Sequence, residues 1–231
     1  MSQVILNILC EGQTEDRFAS KVLKEYLKGF EIVVKTTILI TNKKKNVRGG
    51  MLSYQQAKND LELLIRQHSR KTHEAHFYTT MFDLYALPND FPGFAEAMKI
   101  HDSYEKVKKL EEKFAEDISS DKFVPYIQLH EFEALVFCGL EHLLIDYPDM
   151  AKQIARLKKI VEKYDGNTEE INNDPQTAPS KLMIREFEKF HHYDKHKSGV
   201  LVTDKIGIKK LKNKCLHFKE WIEKLEQLSK K

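Results

Sequence analysis

The fold of this chain is decided by the stretch Val4-Ile5-Leu6-Asn7-Ile8-Leu9-Cys10-Glu11-Gly12-Gln13-Thr14-Glu15-Asp16. Its first part is a nearly continuous apolar run, which is typical of a strand buried on both faces of a parallel sheet flanked by helices. Gly12 then permits a sharp turn, and Thr14 and Glu15 suit the cap and first turn of a following helix. The stretch therefore predicts a strand, a tight turn and a helix.

Glu11 is the candidate functional residue of this segment because it follows directly on the buried strand. In open α/β sheets, ligands bind at the carboxyl ends of the strands. A carboxylate in that place also faces desolvation unless a cation, a hydrogen-bond donor or water compensates for it. Thr14 and Glu15, by contrast, are explained equally well by the needs of any helix start.

Composition and charge describe a folded protein without a global affinity for nucleic acid. The 231 residues are enough for one sizeable α/β domain, or for a core domain with a helical appendage. The hydrophobic content of 41% and the charged content of 32% are typical of a soluble globular protein and exclude a disordered chain. Because the net charge is only +3, any binding of nucleic acid must come from a local basic patch.

Cysteine usage and hydropathy predict a cytoplasmic protein that does not enter a membrane. Cys10, Cys138 and Cys215 are widely separated and odd in number, which fits a reducing compartment and argues against a disulfide framework or a thiolate zinc site. The first residues show no secretory leader pattern. No apolar run reaches about 18 residues, the usual minimum for a membrane-spanning helix.

Strand-like and helix-like segments alternate in the first two-thirds of the chain. We predict strands at 4–10, 31–41, 76–82 and 123–129, and helices at 15–29, 53–68 and between 93 and 117, with a further helix into which residues 130–133 lead and which runs through 137. This alternation predicts a Rossmann-like α/β fold with a mostly parallel sheet flanked by helices. We place the α/β core at 1–138 and a mainly helical C-terminal extension, packed on the core, at 139–231.

Three of the predicted strands end in groups that bind metal or carry protons. These groups are Glu11, Asp83, and His130 with Glu131 or Glu133. Because the carboxyl ends of parallel strands lie along one edge of a sheet, we expect these side chains to converge. Clustered carboxylates raise one another's pKa unless a cation compensates, and Mg²⁺ or Mn²⁺ prefers such oxygen ligands. The pattern therefore predicts a divalent-metal site with these residues as its candidate ligands.

The sequence does not decide which residue of the segment after the fourth strand is the metal ligand. If the helix begins at residue 130, His130 and Glu133 share one face, whereas Glu131 is the ligand if it still belongs to the strand end. Histidine is a more usual ligand of Mn²⁺ or Zn²⁺ than of Mg²⁺, and helix capping is its alternative role. The sequence contains no two-histidine zinc motif, so zinc is the weaker choice.

Two basic segments are candidates for contacts with a nucleic-acid backbone. The first is a loop whose basic residues are Lys43, Lys44, Lys45 and Arg48. The Gly49-Gly50 pair that follows can form an anion-binding nest, although a solvated loop tip is the alternative explanation. The second is a diffuse set in which Lys181 lies near the start of a predicted helix and is followed by Arg185, Lys195, Lys197 and Lys205, although an ordinary surface position is the alternative explanation for each of them. Such residues hold phosphates without reading the base sequence.

Five separated blocks, in order along the chain, resemble one prokaryotic protein family. They are Glu11-Gly12-Gln13-Thr14-Glu15; Phe82-Asp83-Leu84-Tyr85-Ala86-Leu87-Pro88 with Asp90-Phe91-Pro92-Gly93; Leu129-His130-Glu131-Phe132-Glu133-Ala134-Leu135; Ala178-Pro179-Ser180-Lys181; and Cys215-Leu216-His217-Phe218-Lys219-Glu220-Trp221. The first block resembles the Glu-Gly-x-Thr-Glu signature of the family of domains of unknown function 4276. The resemblance spans nearly the whole chain.

That family is similar to Toprim domains, which are compact α/β domains of nucleotidyl transfer and hydrolysis. By position, the resemblance matches Glu11 to the Toprim glutamate after the first strand and Asp83 to the first residue of its Asp-x-Asp motif. Tyr85 stands where the second aspartate is expected, so His130, Glu131 or Glu133 replaces that ligand, or the site is weakened or used differently. The resemblance also implies an AAA- or ABC-type ATPase partner in an anti-phage defence system.

These observations predict a Mg²⁺- or Mn²⁺-dependent nuclease that hydrolyses the phosphodiester bonds of DNA or RNA. Asp83, with Glu131 or Glu133, would hold the metal, which polarises the phosphate and lowers the pKa of a bound water. Glu11 would be a further ligand or the general base. Two alternatives are a non-catalytic partner or sensor subunit of an ATPase complex, which Tyr85 favours, and a hydrolase of small phosphorylated nucleotides. The pattern indicates no particular oligomeric state.

Overall fold

The computed structural model describes residues 3–42, 47–48, 50–69, 73–171 and 178–230. The strands are β1 (Gln3–Cys10), β2 (Ile32–Ile38), β3 (Ile40–Asn42), β4 (Val47–Arg48), β5 (Glu74–Asp83), β6 (Phe123–Val124) and β7 (Ile127–Gln128). The α-helices are α1 (Gln13–Arg17), α2 (Lys24–Lys28), α3 (Tyr54–His68), α4 (Phe94–Ala97), α5 (Ser103–Ile118), α6 (Glu133–Val136), α7 (Ala151–Glu162), α8 (Pro179–Phe187), α9 (Val200–Ile206), α10 (Ile208–Lys214) and α11 (Leu216–Glu226). Two π-helical segments are Phe18–Leu23 and Lys195–Gly199, and 3₁₀ helices are Leu84–Ala86, Phe137–Ile145, Thr168–Glu170 and Leu228–Lys230.

A parallel sheet lies at the centre of the fold. β1 lies between β2 and β5, and both β6 and β7 pair with the other side of β5. From Ile5 to Cys10, β1 is buried, as expected of a strand covered by helices on both faces. Its last residue, Cys10, lies opposite Ile38 of β2 and Met81 of β5. The predicted α/β class with a parallel sheet is confirmed, and β1 and β5 end at the same edge.

Helices cover both faces of this sheet. On one face, Phe18 and Leu23 pack in a buried cluster with Leu6, because the apolar side of the first helical stretch faces β1. On the other face, Leu61 of α3 and Phe114 of α5 belong to a second cluster. None of the described helices combines the length and the apolarity needed to cross a membrane.

The C-terminal helices complete the first of these layers. Trp221 of α11 stacks on Tyr126 with ring centroids 4.0 Å apart, and its indole Nε1 donates a hydrogen bond of 2.9 Å to Thr79 Oγ1 in β5. The C-terminal region is helical, as predicted. A domain boundary near residue 139 stays a prediction, and the segment Phe137–Ile145 is kinked at Gly139, whose φ of −154° and ψ of 49° are not helical.

The fourth predicted strand is divided in two. β6 and β7 both pair with β5, but they are separated by Pro125 and Tyr126. Proline has no N–H group to donate to the neighbouring strand, so the ladder stops there. The N–H of Tyr126 donates instead to Thr80 Oγ1 at 3.1 Å. The prediction of one continuous strand at 123–129 is therefore wrong.

The second predicted strand leaves the sheet before its expected end. β2 stops at Ile38, and Leu39 N–H donates a hydrogen bond of 3.0 Å to Cys10 O. The chain then continues as β3, which pairs with antiparallel β4 in a separate ribbon. The second predicted strand therefore contributes to two sheets.

The backbone of His130 decides between the two alternatives left open for the segment after the fourth strand. His130 has a φ of 60°, in the left-handed region, and α6 starts only at Glu133. A residue in that conformation ends the strand and cannot belong to a right-handed helix. The alternative in which His130 and Glu133 share one helical face is therefore excluded.

Replacing Trp221 by alanine tests how firmly α11 is fixed to the sheet. We expect Trp221→Ala to lower the free energy of unfolding by about 3–5 kcal/mol, because a buried indole is lost and a cavity is left. Urea denaturation followed by circular dichroism measures the change. Leu216→Ala on the same helix is the control, since Leu216 is 52% exposed and should change stability by less than about 0.5 kcal/mol. Equal effects of the two variants would contradict this packing.

Candidate functional site

Glu11 lies where β1 meets β5 at the carboxyl edge of the sheet. Its N–H donates a hydrogen bond of 3.1 Å to Met81 O, and its carbonyl accepts one of 3.1 Å from Gly50 N–H. Its carboxylate Oε2 accepts a hydrogen bond of 3.0 Å from Asp83 N–H. The backbone and the side chain of Glu11 are therefore both held at the end of β5.

Asp83 and Glu133 meet at one ammonium group. Asp83 is the last residue of β5 and Glu133 is the first of α6, and they are only 7% and 0% exposed. Lys195 Nζ lies 3.3 Å from Asp83 Oδ2 and 3.1 Å from Glu133 Oε2. The structure thus brings together acids from separate strand ends and places a lysine between two of them.

The sequence places Lys195 in the diffuse basic set that follows Lys181, but it does not assign Lys195 to the acidic site. This lysine begins the π segment Lys195–Gly199, and its side chain is 30% exposed. As one of 38 Lys and Arg residues, with no motif around it, it resembles an ordinary surface lysine in the sequence. The sequence signal for the start of this segment is Asp194, a residue type that often caps helices, and its carboxylate accepts a hydrogen bond of 3.0 Å from Lys197 N–H.

The turn after Glu11 adds a further buried acid, Glu15. Gly12 is the N-cap of α1, so the prediction that Thr14 caps this helix is wrong, because the chain already enters the helix at Gln13. Glu15 Oε2 accepts a hydrogen bond of 3.0 Å from Gly12 N–H. The Thr14 hydroxyl lies 2.7 Å from His196 Nδ1 and so links α1 to the segment that carries Lys195.

Glu131 holds the start of α8 in place. Its Oε2 accepts a hydrogen bond of 2.9 Å from Ser180 N–H, and its Oε1 accepts one of 3.0 Å from the Ser180 hydroxyl. Both carboxylate oxygens therefore have partners. Glu131 contributes its negative charge to the surroundings of Glu11 and Asp83 from this fixed position.

His130 is fully buried and packs against Tyr85. The two ring centroids are 5.1 Å apart, and the carbonyl of His130 accepts a hydrogen bond of 3.2 Å from Tyr85 N–H. Burial, together with the positive charge of Lys106, lowers the pKa of His130 to about 4. Its ring is therefore neutral at pH 7, and Tyr85 has a packing role beside it.

Burial makes the acids of this site hard to ionise. It raises the pKa of Glu11 and of Glu15 to about 7, and it raises the pKa of Glu133 as well. Burial raises the pKa of Asp83 to about 8, although the charge of Lys195 opposes this shift. Burial lowers the pKa of Lys195, but the neighbouring carboxylates, Asp83 first among them, raise it well above its ordinary value. The ammonium group therefore stays charged.

The donor set has the chemistry that a hard divalent cation requires. Asp83 Oδ1 and Glu133 Oε1 are buried carboxylate oxygens without a hydrogen-bond partner among the described residues. The acids here outnumber the single lysine, which favours a further positive charge. Across the described ranges, no three His, Cys, Asp or Glu side chains are already spaced as ligands of one ion. Glu11 and Asp83 are the residues that would hold it, with Lys195 beside them.

The predicted nucleic-acid contacts are only partly visible. The residues Lys43, Lys44 and Lys45 lie outside the described part of the chain. The backbone of Arg48 belongs to β4, and its side chain is likewise outside the description. Gly50, which follows these residues in the chain, donates a hydrogen bond from its N–H to Glu11 O. Lys181 is exposed on α8.

Comparison with known proteins identifies the family of the chain. The family model of the domain of unknown function DUF4276 matches residues 10–226. The chain belongs to this family. No curated protein matches it. Among solved structures it is similar to the C-terminal region of the OLD protein of Xanthomonas campestris pv. campestris, with 16% identity, a TM-score of 0.43, and coverage of 100% of this chain and 97% of that one. A likeness at this level assigns no function.

The raised carboxyl pKa values predict how the metal-free protein responds to pH. In the unfolded chain carboxyl groups ionise near pH 4, whereas Asp83 and Glu11 ionise near pH 8 and 7 in the folded chain. Their contribution to stability is therefore fully present below about pH 4 and is lost as the pH rises through 7 to 8. Thermal denaturation of EDTA-treated protein between pH 4 and pH 9 measures this loss.

The Asp83→Asn variant isolates the contribution of Asp83 to this pH dependence. Asparagine cannot ionise, so the wild-type protein should lose stability relative to the variant as the pH rises. A difference that stays constant with pH would contradict the assigned pKa of Asp83.

Proposed function

We propose that this protein is a divalent-metal-dependent nuclease that hydrolyses phosphodiester bonds of DNA or RNA. The observation that carries the proposal is the convergence of Glu11, Asp83 and Glu133 at the carboxyl edge of the sheet, with Lys195 between two of them. Buried carboxylates at such an edge suit Mg²⁺ or Mn²⁺ that binds together with a phosphate group. The resemblance to Toprim domains supports the same chemistry.

The positions of the side chains suggest their roles. Glu11 and Asp83 would hold the ion, which supplies a water acidic enough to attack a phosphodiester and a positive charge for the phosphate. The hydrogen bond from Asp83 N–H to Glu11 keeps these two residues together. Lys195 holds the carboxylates of Asp83 and Glu133 in place and balances part of their charge.

The substrate would be held through its phosphates. The residues Lys43, Lys44, Lys45 and Arg48 make the segment 43–48 basic in sequence, and Gly50, which follows this segment, donates its N–H to the carbonyl oxygen of Glu11. Such a segment supplies attraction that depends on salt but not on base sequence. Because the net charge of the whole chain is only +3, this local patch is the main candidate for that attraction. We therefore propose nucleic acid as the substrate and leave both DNA and RNA in the test.

A non-catalytic subunit of an ATPase complex is the second candidate. It is favoured by Tyr85, which stands where the resemblance expects an aspartate and whose ring packs on His130, and by the lack of a ready three-ligand group among the described residues. The role in anti-phage defence with an AAA- or ABC-type ATPase rests on the family resemblance. Cleavage by the isolated protein would separate the nuclease from this alternative.

Cleavage assays on the purified full chain test the proposal. We expect cleavage of plasmid, single-stranded DNA or RNA in the presence of Mg²⁺ or Mn²⁺ and no cleavage in the presence of EDTA. Each assay is run with and without an ATPase encoded beside the gene. Glu11→Gln and Asp83→Asn should each lower the rate at least about 100-fold, because each removes a charged ligand of the ion. Gel electrophoresis with labelled substrate measures the rate.

The controls for this assay carry the same chemical changes elsewhere. Glu116, which pairs with Lys113, and Asp204, which pairs with Lys21, both lie outside the site. The Glu116→Gln and Asp204→Asn variants should therefore cleave the substrate at the wild-type rate. Circular dichroism confirms that each variant is folded. Cleavage that persists unchanged in both Glu11→Gln and Asp83→Asn would overturn the proposed site.

A further inference from the structure

One ammonium group already occupies part of the acidic site. Lys195 Nζ forms ion pairs of 3.3 Å with Asp83 Oδ2 and of 3.1 Å with Glu133 Oε2. Asp83 uses only one of its oxygens in this contact. Its other oxygen, Oδ1, is buried and has no hydrogen-bond partner among the residues that the structure describes.

We propose that this site binds a single divalent ion and that Lys195 permanently supplies the second positive charge. The inference rests on the proposed function and concerns the number of ions at the same site. Where two metal ions act on one phosphate, they lie about 3.5–4 Å apart, and a shared carboxylate can give one oxygen to each. The carboxylate of Asp83 resembles such a shared carboxylate: its Oδ2 contacts the ammonium group of Lys195, and its Oδ1 is available to bind one ion.

The backbone before Lys195 is held in place. The N–H of Asp194 donates a hydrogen bond of 3.1 Å to the hydroxyl oxygen of Tyr147. The carboxylate of Asp194 accepts a hydrogen bond of 3.0 Å from Lys197 N–H, which closes the first turn of the segment. Lys195 therefore starts from an anchored position rather than from a free loop.

The residues after Lys195 are attached to two other parts of the fold. His196 Nδ1 lies 2.7 Å from Thr14 Oγ1, and its carbonyl accepts a hydrogen bond of 3.3 Å from Arg17. The Ser198 hydroxyl donates a hydrogen bond of 2.7 Å to Asp146. The backbone is therefore fixed on both sides of Lys195, close to the two carboxylates that its ammonium group contacts.

A second ion cannot share this position with the ammonium group. An ion bound between Asp83 and Glu133 would lie where Lys195 Nζ already contacts both acids, and like charges repel strongly in a buried place. One ion on the side of Glu11 and Asp83 Oδ1 avoids this repulsion.

Counting bound Mn²⁺ ions tests this inference. The full chain is stripped with EDTA, dialysed and titrated with Mn²⁺, and free Mn²⁺ is measured by electron paramagnetic resonance. We expect one ion per wild-type chain and two per Lys195→Met chain, because methionine leaves the position between Asp83 and Glu133 without its cation. Lys195→Arg should bind one ion. Lys197→Met, which changes a lysine 69% exposed in the same segment, should also bind one.

The possible outcomes separate this inference from the proposed function. Two ions on the wild-type chain would overturn the inference and leave the nuclease proposal standing, whereas no bound ion would overturn both. One ion on both the wild type and a folded Lys195→Met variant would overturn the role of Lys195. If Lys195→Met does not fold, the wild-type count and the Lys195→Arg count decide: one ion on each supports the inference, and two ions on either contradict it.

Discussion

The rest of the site depends on the ion pairs that join Lys195 to Asp83 and Glu133. Both acids are nearly excluded from solvent, and ionised carboxylates in such a place lose their hydration and repel each other. A buried charge is tolerated when it is paired, and here one ammonium group pairs with both acids. The carboxyl edge built by the N-terminal strands therefore requires a residue that the C-terminal region carries.

The parallel sheet brings the acids together in the first place. β1 and β5 run side by side in register, so Glu11 and Asp83 emerge at the same edge although they are far apart in sequence. The hydrogen bond from Asp83 N–H to Glu11 then fixes their distance, while Glu15 and Glu133 add charge from the first turns of their helices. Burial raises the pKa of these acids, and a bound divalent ion would favour their ionised forms.

The parts of the fold that local sequence determines were predictable, and the parts that distant packing determines were not. The apolar runs of β1 and β5 predict buried strands, and an acid after each run predicts the edge where Glu11 and Asp83 lie. Pro125 divides the predicted strand because it has no N–H to donate, and His130 ends the strand through its left-handed backbone, which sequence periodicity does not report. Lys195 lies 112 positions from Asp83, and only the tertiary fold distinguishes it from the lysines at the surface.

An acidic site that holds one ion and one lysine side by side is tested most directly by anomalous diffraction from a crystal soaked in Mn²⁺. We expect one anomalous peak within about 2.0–2.3 Å of oxygens of Glu11 and Asp83, with Lys195 Nζ still between Asp83 and Glu133. A peak between Asp83 and Glu133, with the lysine displaced, would contradict the account. So would the absence of any peak at this edge of the sheet.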